Sequence, residues 1–483
     1  MKRSIIICSL VCLILFTCTL FAGCGPNNTV GSTPTPAPSE PTQQEIKLEN
    51  VKAGDKYRIL IWNTIRENLP LEPDQDGSVE LREKVDKLEA EYGVEVVYVQ
   101  ATNDWLNDAM RAASTGEPIC DVIHAGQPGA LPGLYAYNGI AGSVVESITA
   151  QDMEHLFKDE QFWNTDFINA AGYYDNQMYF VIPEQSGFGS VGLNQVTFFN
   201  KNMLASAGYS ADVMYEMSEK GEWTFDKLRE VCIALTDPDK GTYGMCMGAT
   251  SIAMCSMVTS NNGMFVTKVD GVDRFTAATD PNVVEAVNFF VEMAKTDKSV
   301  YLGNYVDEEI KGFSTGTYGI MLTYANRAQQ LYDKGNEIEF GIIMPPKGPQ
   351  ANDYISEVNW YDAWCVMKNT PNPKGSIEVM SVMVSPAYGR DSAENLAKLE
   401  SSASIVCYDN QSVQNLIKVR DKSKPTNYQT YCWLSDNSSG FGFGNGILYC
   451  CLQFIDGSKT PQVYFESVTD AANAIIDRYT VSK

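Results

Sequence analysis

Histidine, cysteine and carboxylate side chains carry most of the chemistry a chain can do unaided, so their spacing is the first thing to weigh. The 483 residues include only two histidines, His124 and His155. Neither has a second histidine or a cysteine at ligand spacing, which argues against a metal site. Cys450 and Cys451 are adjacent, not separated by two residues, and fall in an apolar run from Gly446 to Phe454 that reads as a strand. No nucleophile elbow, phosphate loop or zinc-protease helix motif occurs. The stretch Ser439 to Gly446 is glycine-rich but lacks the spacing of a dinucleotide-binding turn, and reads as a loop. Paired carboxylates can hydrolyse glycosidic bonds, but among 60 acidic residues some pair is always available, so their presence selects nothing. The expectation is a protein without catalytic residues, metal or cofactor.

The elements that would position a binding site are legible from Tyr57 onward. Tyr57 to Trp62 is a short apolar run that reads as a buried strand. Val79 to Tyr92 places Val79, Val85 and Leu88 among charges at helical spacing, and Gly93 stops it. Val94 to Val99 is a second strand, Asn103 to Ala113 a second helix, and Cys120 to Ile123 a third strand. Strand–helix–strand–helix–strand implies parallel pairing through right-handed crossovers. Ligands of such sheets bind beyond the carboxyl ends of the strands. Trp62, Asn63 and Gln127 fall there.

The N-terminus carries Lys2 and Arg3, an apolar run from Ile5 to Phe21, and the small residues Ala22 and Gly23 before Cys24. That is an export signal, not a structural helix, and its ending resembles the lipobox of bacterial lipoproteins, with Phe21 where that motif usually has Leu. The resemblance implies cleavage before Cys24 and lipidation of its sulfur, so residues 1–23 are read as signal peptide. Residues 24–50, rich in Ser, Thr, Pro and Asn, cannot bury enough apolar surface to offset their ordering entropy and read as a flexible tether. No later segment approaches ~20 consecutive apolar residues, so nothing else is expected to span a bilayer.

About 460 residues remain, enough for two lobes. The full chain carries −24, and loss of Lys2 and Arg3 takes the mature form to about −26. Such a surface has no basic footprint for nucleic acid. Nine cysteines remain after the signal and Cys24, an odd number, so at least one thiol is free. Several sit in apolar runs, where cysteine behaves as a small buried hydrophobe.

Several segments together resemble one family. Asp175 to Pro183 is similar to a turn followed by an aromatic-x-x-Pro strand, with Asn176 in place of the turn glycine, a substitution allowed because Asn tolerates positive φ. Phe199 to Gly208, FNKNMLASAG, resembles the motif YNKxLFxxAG. Glu222 to Leu228, EWTFDKL, resembles a helix start for which Thr224 is the cap. Thr279 to Ala286, Gly312 to Met321 and Gly341 to Pro349 follow in matching order. From about Tyr57 to Tyr479 the chain looks like an extracellular solute-binding protein of family 1, the large sugar-binding group serving ABC importers.

The resemblance implies a two-lobed α/β periplasmic-binding-protein-like fold, with hinge crossings near Pro183 to Val196, Trp360 to Trp364 and around Lys398 to Ile405. Lobe 1 would hold residues 51–185 and about 363–400, lobe 2 residues 186–362 and about 401–483. It also implies a monomer held by its lipid on the outer face of the cytoplasmic membrane, which captures a sugar and hands it to ABC permease subunits. A sugar site needs flat aromatic faces and planar polar groups. Beside Trp62, Asn63 and Gln127, the candidates are Glu184 and Gln185 at the first crossing, Tyr324 and Asn326 after the Gly319 to Thr323 strand, and Trp360, Tyr361 and Asp362 at the second crossing. Trp105, Trp163 and Trp223 read as structural. The alternatives are the same scaffold serving another solute or a sensor, and an exported glycoside hydrolase.

Overall fold

The computed structural model describes residues 46–61, 78–102, 104–125, 144–247, 252–302, 306–333, 338–358, 362–425, 435–436, 441–448 and 450–480. The strands of its two main sheets and crossings are, in chain order, β1 (Lys56–Ile61), β2 (Glu95–Gln100), β3 (Val122–His124), β4 (Gln195–Asn200), β5 (Tyr243–Cys246), β6 (Val300–Tyr301), β7 (Tyr318–Tyr324), β8 (Phe340–Ile343), β9 (Ser356–Val358), β10 (Trp364–Val366) and β11 (Ser423–Pro425).

In the first lobe the expected alternation is present: helices Ser78–Tyr92 and Trp105–Thr115 separate β1, β2 and β3. β1 pairs parallel with β2 on one side and β3 on the other. A sheet covered on both faces explains why β1 reads as an apolar run and not an alternating one. β10, arriving much later in the chain, completes the edge antiparallel to β3, so the order is β10-β3-β1-β2. Asp121 anchors the start of β3. Its carboxylate accepts from Arg58 Nε and Nη2 at 3.0 Å each and from the Arg58 backbone at 2.7 Å. The core includes Ile59, Ile123, Trp163 and Phe180, all fully buried.

The second lobe is built on a five-stranded sheet of order β6-β5-β7-β4-β8. β4 runs antiparallel to both β7 and β8, whereas β5 is parallel to β6 and β7. All six residues of β4 are buried. The helices on this sheet start where side-chain chemistry permits. Thr224 caps Phe225–Leu235 by accepting from Lys227 N–H, and Asp280 caps Pro281–Lys295, whose first residue is a proline. Trp223 is fully buried and donates Nε1–H to Thr197 Oγ1 at 3.3 Å. The turn at Asp175 and Asn176 has φ of 48° and 58°, the left-handed pair that a two-residue hairpin demands. It joins strands Tyr173–Tyr174 and Gln177–Met178.

Four expectations need correction. The run from Gly446 to Phe454 is not a strand: it belongs to helices Phe443–Leu448 and Cys451–Ile455. Its buried residues Phe443, Ile447, Cys450, Cys451 and Phe454 recur at helical, not alternating, spacing. Phe180 to Pro183 is held by isolated bridges, Val181 to Trp364 and Trp163 to Pro183, instead of forming a strand of a sheet. The third crossing falls earlier than Lys398 to Ile405: Met383 packs in the first core, whereas Leu399, Ala403 and Val406 of helix Ala393–Val406 already pack in the second. Residues 46–50, the end of the expected tether, are docked on the first lobe. Leu48 is buried, and Glu378 accepts from the Glu49 and Asn50 backbones at 3.0 and 2.9 Å. Composition cannot show this, because the anchoring carboxylate lies more than 300 residues away.

Eight described cysteines, Cys120, Cys232, Cys246, Cys255, Cys365, Cys407, Cys450 and Cys451, carry thiols not joined in disulfides, and all but Cys407 are buried. Burial pushes the thiols of Cys120, Cys232, Cys365 and Cys450 upward, and a thiol held protonated is inert. The seven buried cysteines are therefore expected to stay unmodified when the native protein is alkylated, and to react after denaturation without reductant. Mass mapping of the alkylated peptides checks this, and disulfide-linked peptides would contradict it.

Candidate functional site

Three stretches of chain pass between the two cores. The first runs from Ile182 to Val191, the second lies between Tyr354 and Val358, earlier than the expected Trp360 to Trp364, and the third follows Met383. β9 and β11 pair parallel beside them. Asn194 ties this junction together, donating Nδ2–H to Ser356 Oγ at 3.1 Å and to Ser423 Oγ at 2.6 Å.

A cavity of about 60 Å³ opens at this junction, lined among others by Asn164, Glu184, Gln185, Asn194, Asp362 and Ser423. That volume admits a few water molecules, not a sugar ring. The sequence candidates Glu184, Gln185 and Asp362 meet here although they come from stretches of chain about 180 residues apart, the first crossing and the segment just after the second. Asp362 is the best-defined member. Its Oδ2 accepts from Gln185 Nε2 at 3.1 Å, and its Oδ1 lies 3.3 Å from His124 Nε2. His124 is fully buried at the end of β3, with its ring 4.4 Å from that of Trp364. The carboxylate is thus oriented by His124 of the first lobe and Gln185 of the first crossing, and it lines the cavity.

Glu184 is 9% exposed. Burial raises its carboxyl to about 7 against the opposing pull of Arg390 and Arg420. Tyr324 and Asn326 take a different position, at the end of β7 on the second lobe and outside the lining of this cavity. The Tyr324 ring lies 5.7 Å from the Arg327 guanidinium, and the Asn326 N–H donates to Gly192 O of the first crossing at 2.8 Å. Trp163 and Trp223 are core residues, as their setting suggested, and Trp105 packs on the first core. Trp62, Asn63, Gln127, Trp360, Tyr361 and Cys24 lie outside the described residues.

Sequence reasoning did not bring His124, Asn164, Asn194 or Ser423 to the site. His124 looked solitary because its partner is 238 residues away. Asn194 had one usable signal, its place just before the β4 motif at the first crossing. Among the described residues no group of three His, Cys, Asp or Glu side chains is arranged to hold a metal, and no helix is long and apolar enough to cross a membrane.

Two α/β lobes joined by crossing segments, with polar side chains gathered at the junction, make an arrangement of the kind that can close as a hinge. The sequence profile described as "Bacterial extracellular solute-binding protein" matches residues 83–400. The chain belongs to that family, whose members bind a solute outside the cytoplasm and are not enzymes. Solved structures of like fold include an ABC substrate-binding protein of Listeria monocytogenes in complex with cycloalternan, at 14% identity over 87% of this chain and 98% of that one, TM-score 0.57. The sugar-binding protein MalE of Xanthomonas citri aligns at 13% identity over 88% and 98%, TM-score 0.59. UgpB of Mycobacterium tuberculosis, in complex with glycerophosphocholine, aligns at 13% over 87% and 98%, TM-score 0.56. At these identities the likeness is one of fold. Among curated proteins none matches the chain.

Proposed function

We propose that this protein captures a carbohydrate, an oligosaccharide in the first instance, between its lobes and delivers it to the permease of an ABC importer. The observation that carries this reading is the oriented acceptor at the crossings. The Asp362 carboxylate is held by Gln185 and His124 and set beside Glu184 in a polar recess. Charged acceptors receive hydroxyl hydrogen bonds about twice as strong as neutral ones do, and a sugar presents adjacent hydroxyls. The cycloalternan bound to one structure of like fold, and the sugar-binding role that names another, agree with it. A solute touching both lobes interacts better with the closed state and shifts the equilibrium toward it. The permease would then recognise the closed form.

The protein acts as a monomer at the outer face of the cytoplasmic membrane, attached through Cys24. Two or three acyl chains, at about 0.8 kcal/mol per buried CH₂, hold it there stably. Cys24→Ser is expected to move the protein from the membrane fraction into the medium or periplasm; retention in the membrane would show another anchor. The glycerophosphocholine ligand of one like-folded protein keeps a non-sugar solute as the second reading.

The deciding measurement is the melting temperature of the body from Ile46 onward against a panel of mono- and oligosaccharides with glycerophosphocholine included. A ligand at a hundredfold excess over Kd stabilises by about 2.7 kcal/mol, a clear shift. A selective sugar shift without cleavage products is the expected result. A shift with glycerophosphocholine alone would support the second reading, and sugar cleavage would overturn both.

A further inference from the structure

One carboxyl sits where the interlobe segments are fastened to each other. Glu184, on the first crossing, anchors its own N–H on Phe162 O of the first lobe at 3.0 Å. Arg390, on the third crossing, brings Nη1 to 4.0 Å from Glu184 Oε1, beyond hydrogen-bonding reach. Around this pair the fastening is dense. Gln161 of the first lobe accepts from Arg390 N–H at 2.7 Å and exchanges hydrogen bonds with Asp391 at 3.0 Å. Arg420 of the second lobe, 7% exposed, donates to Arg390 O at 2.7 Å and to Asp391 Oδ1 at 3.0 Å. Arg390 Nη2 reaches Asp421 Oδ1 at 3.1 Å. Lys398 donates to Ser186 Oγ at 3.1 Å, joining the third segment to the first.

Glu184 therefore occupies a joint in which Arg390 and Arg420 donate through their Nη atoms to other acceptors, while the buried Nε of each has no hydrogen-bond partner among the described residues. The groups that act on it are Arg390 and Arg420, which favour its charge, and Asp391 and Asp166, which oppose it. Asp362 lines the same cavity. We propose that this joint responds to protons: the packing of the crossings seen here is favoured while Glu184 is neutral, and its charging shifts the molecule toward lobes that separate.

The sign follows from burial. Here the carboxyl stands at about 7, above its ordinary 4.5. If the crossings part and water reaches it, its affinity for the proton falls back toward the ordinary value. The packed joint is then fully favoured below 4.5 and loses ground as pH rises to about 7, beyond which the loss is constant. Each unit between the two states' pKa values changes the ratio of states tenfold. A solute receptor so built would hold its lobes together more firmly in an acidified surround.

The test needs no solute, so its failure would leave the carbohydrate reading untouched. Spin labels placed at Lys87 and Lys268, exposed positions on the two lobes, report the interlobe distance distribution of the ligand-free protein from pH 5 to 8. The ratio of long to short distances is expected to rise roughly 70-fold across that range, the change that a carboxyl moving between 4.5 and about 7 implies. Glu184→Gln is expected to hold the acid-side distribution at every pH. Arg390→Gln removes an attraction for the charged form and is expected to move the midpoint to higher pH, which serves if the first variant does not fold. A wild-type distribution that ignores pH, or an equal pH response in Glu184→Gln, would overturn the proposal.

Discussion

Asp362→Ala is expected to weaken binding of the cognate carbohydrate roughly 30- to 4,000-fold, the range that 2–5 kcal/mol for truncating a desolvated, hydrogen-bonded charge implies. The size follows from the setting. The carboxylate is already oriented by Gln185 at 3.1 Å and His124 at 3.3 Å, so little ordering remains to be done when hydroxyls arrive. Removing it also strands the buried His124 nitrogen and the Gln185 amide, which adds desolvation cost without any ligand. Asp362→Asn keeps the shape and one acceptor but loses the charge, and about a tenfold loss is expected. Calorimetric titration with the sugar found by the melting panel measures both. Binding within threefold of wild type in Asp362→Ala would make the carboxylate a structural partner of His124 and not a ligand contact.

The largest stability effect is expected at Trp223. Trp223→Ala should cost about 3–5 kcal/mol, because the indole is fully buried and its Nε1–H satisfies Thr197 Oγ1 at 3.3 Å. The backbone here is also engaged: Trp223 N–H donates to Tyr354 Oη at 3.1 Å, and Lys347 N–H donates to Trp223 O at 2.9 Å. The truncation therefore leaves a cavity that the fixed main chain cannot close. Because the lobes have separate cores, the loss should fall on the second lobe. Urea unfolding followed by far-UV circular dichroism should split from one transition into two, the first lobe retaining its midpoint. A single transition displaced by less than 1 kcal/mol would show that the site relaxes around the gap.

The residues with local reasons for their conformation were legible in advance. Parallel β1, β2 and β3 with their helices follow from apolar runs and 3.6-residue spacing between them. The cap at Thr224 follows from a hydroxyl three residues before a backbone N–H it can accept from. The turn at Asp175 and Asn176 follows from side chains that tolerate positive φ. The helices at 443–455 were misjudged because a short, uniformly apolar run has the same composition in either state, and only its buried spacing separates the two.

By itself, then, the sequence determined many of the local elements, because propensity, periodicity and capping act over a few residues, while the two-lobed α/β class and the approximate crossings came from its resemblance to a family. What the tertiary structure alone decided is which side chains face one another. His124 meets Asp362 across 238 positions, Glu378 captures Asn50 across 328, and Arg420 fastens the third crossing near Glu184. Such pairs leave no mark in local pattern. Their partners are chosen by the path of the chain between the lobes, which is settled only when both cores have packed.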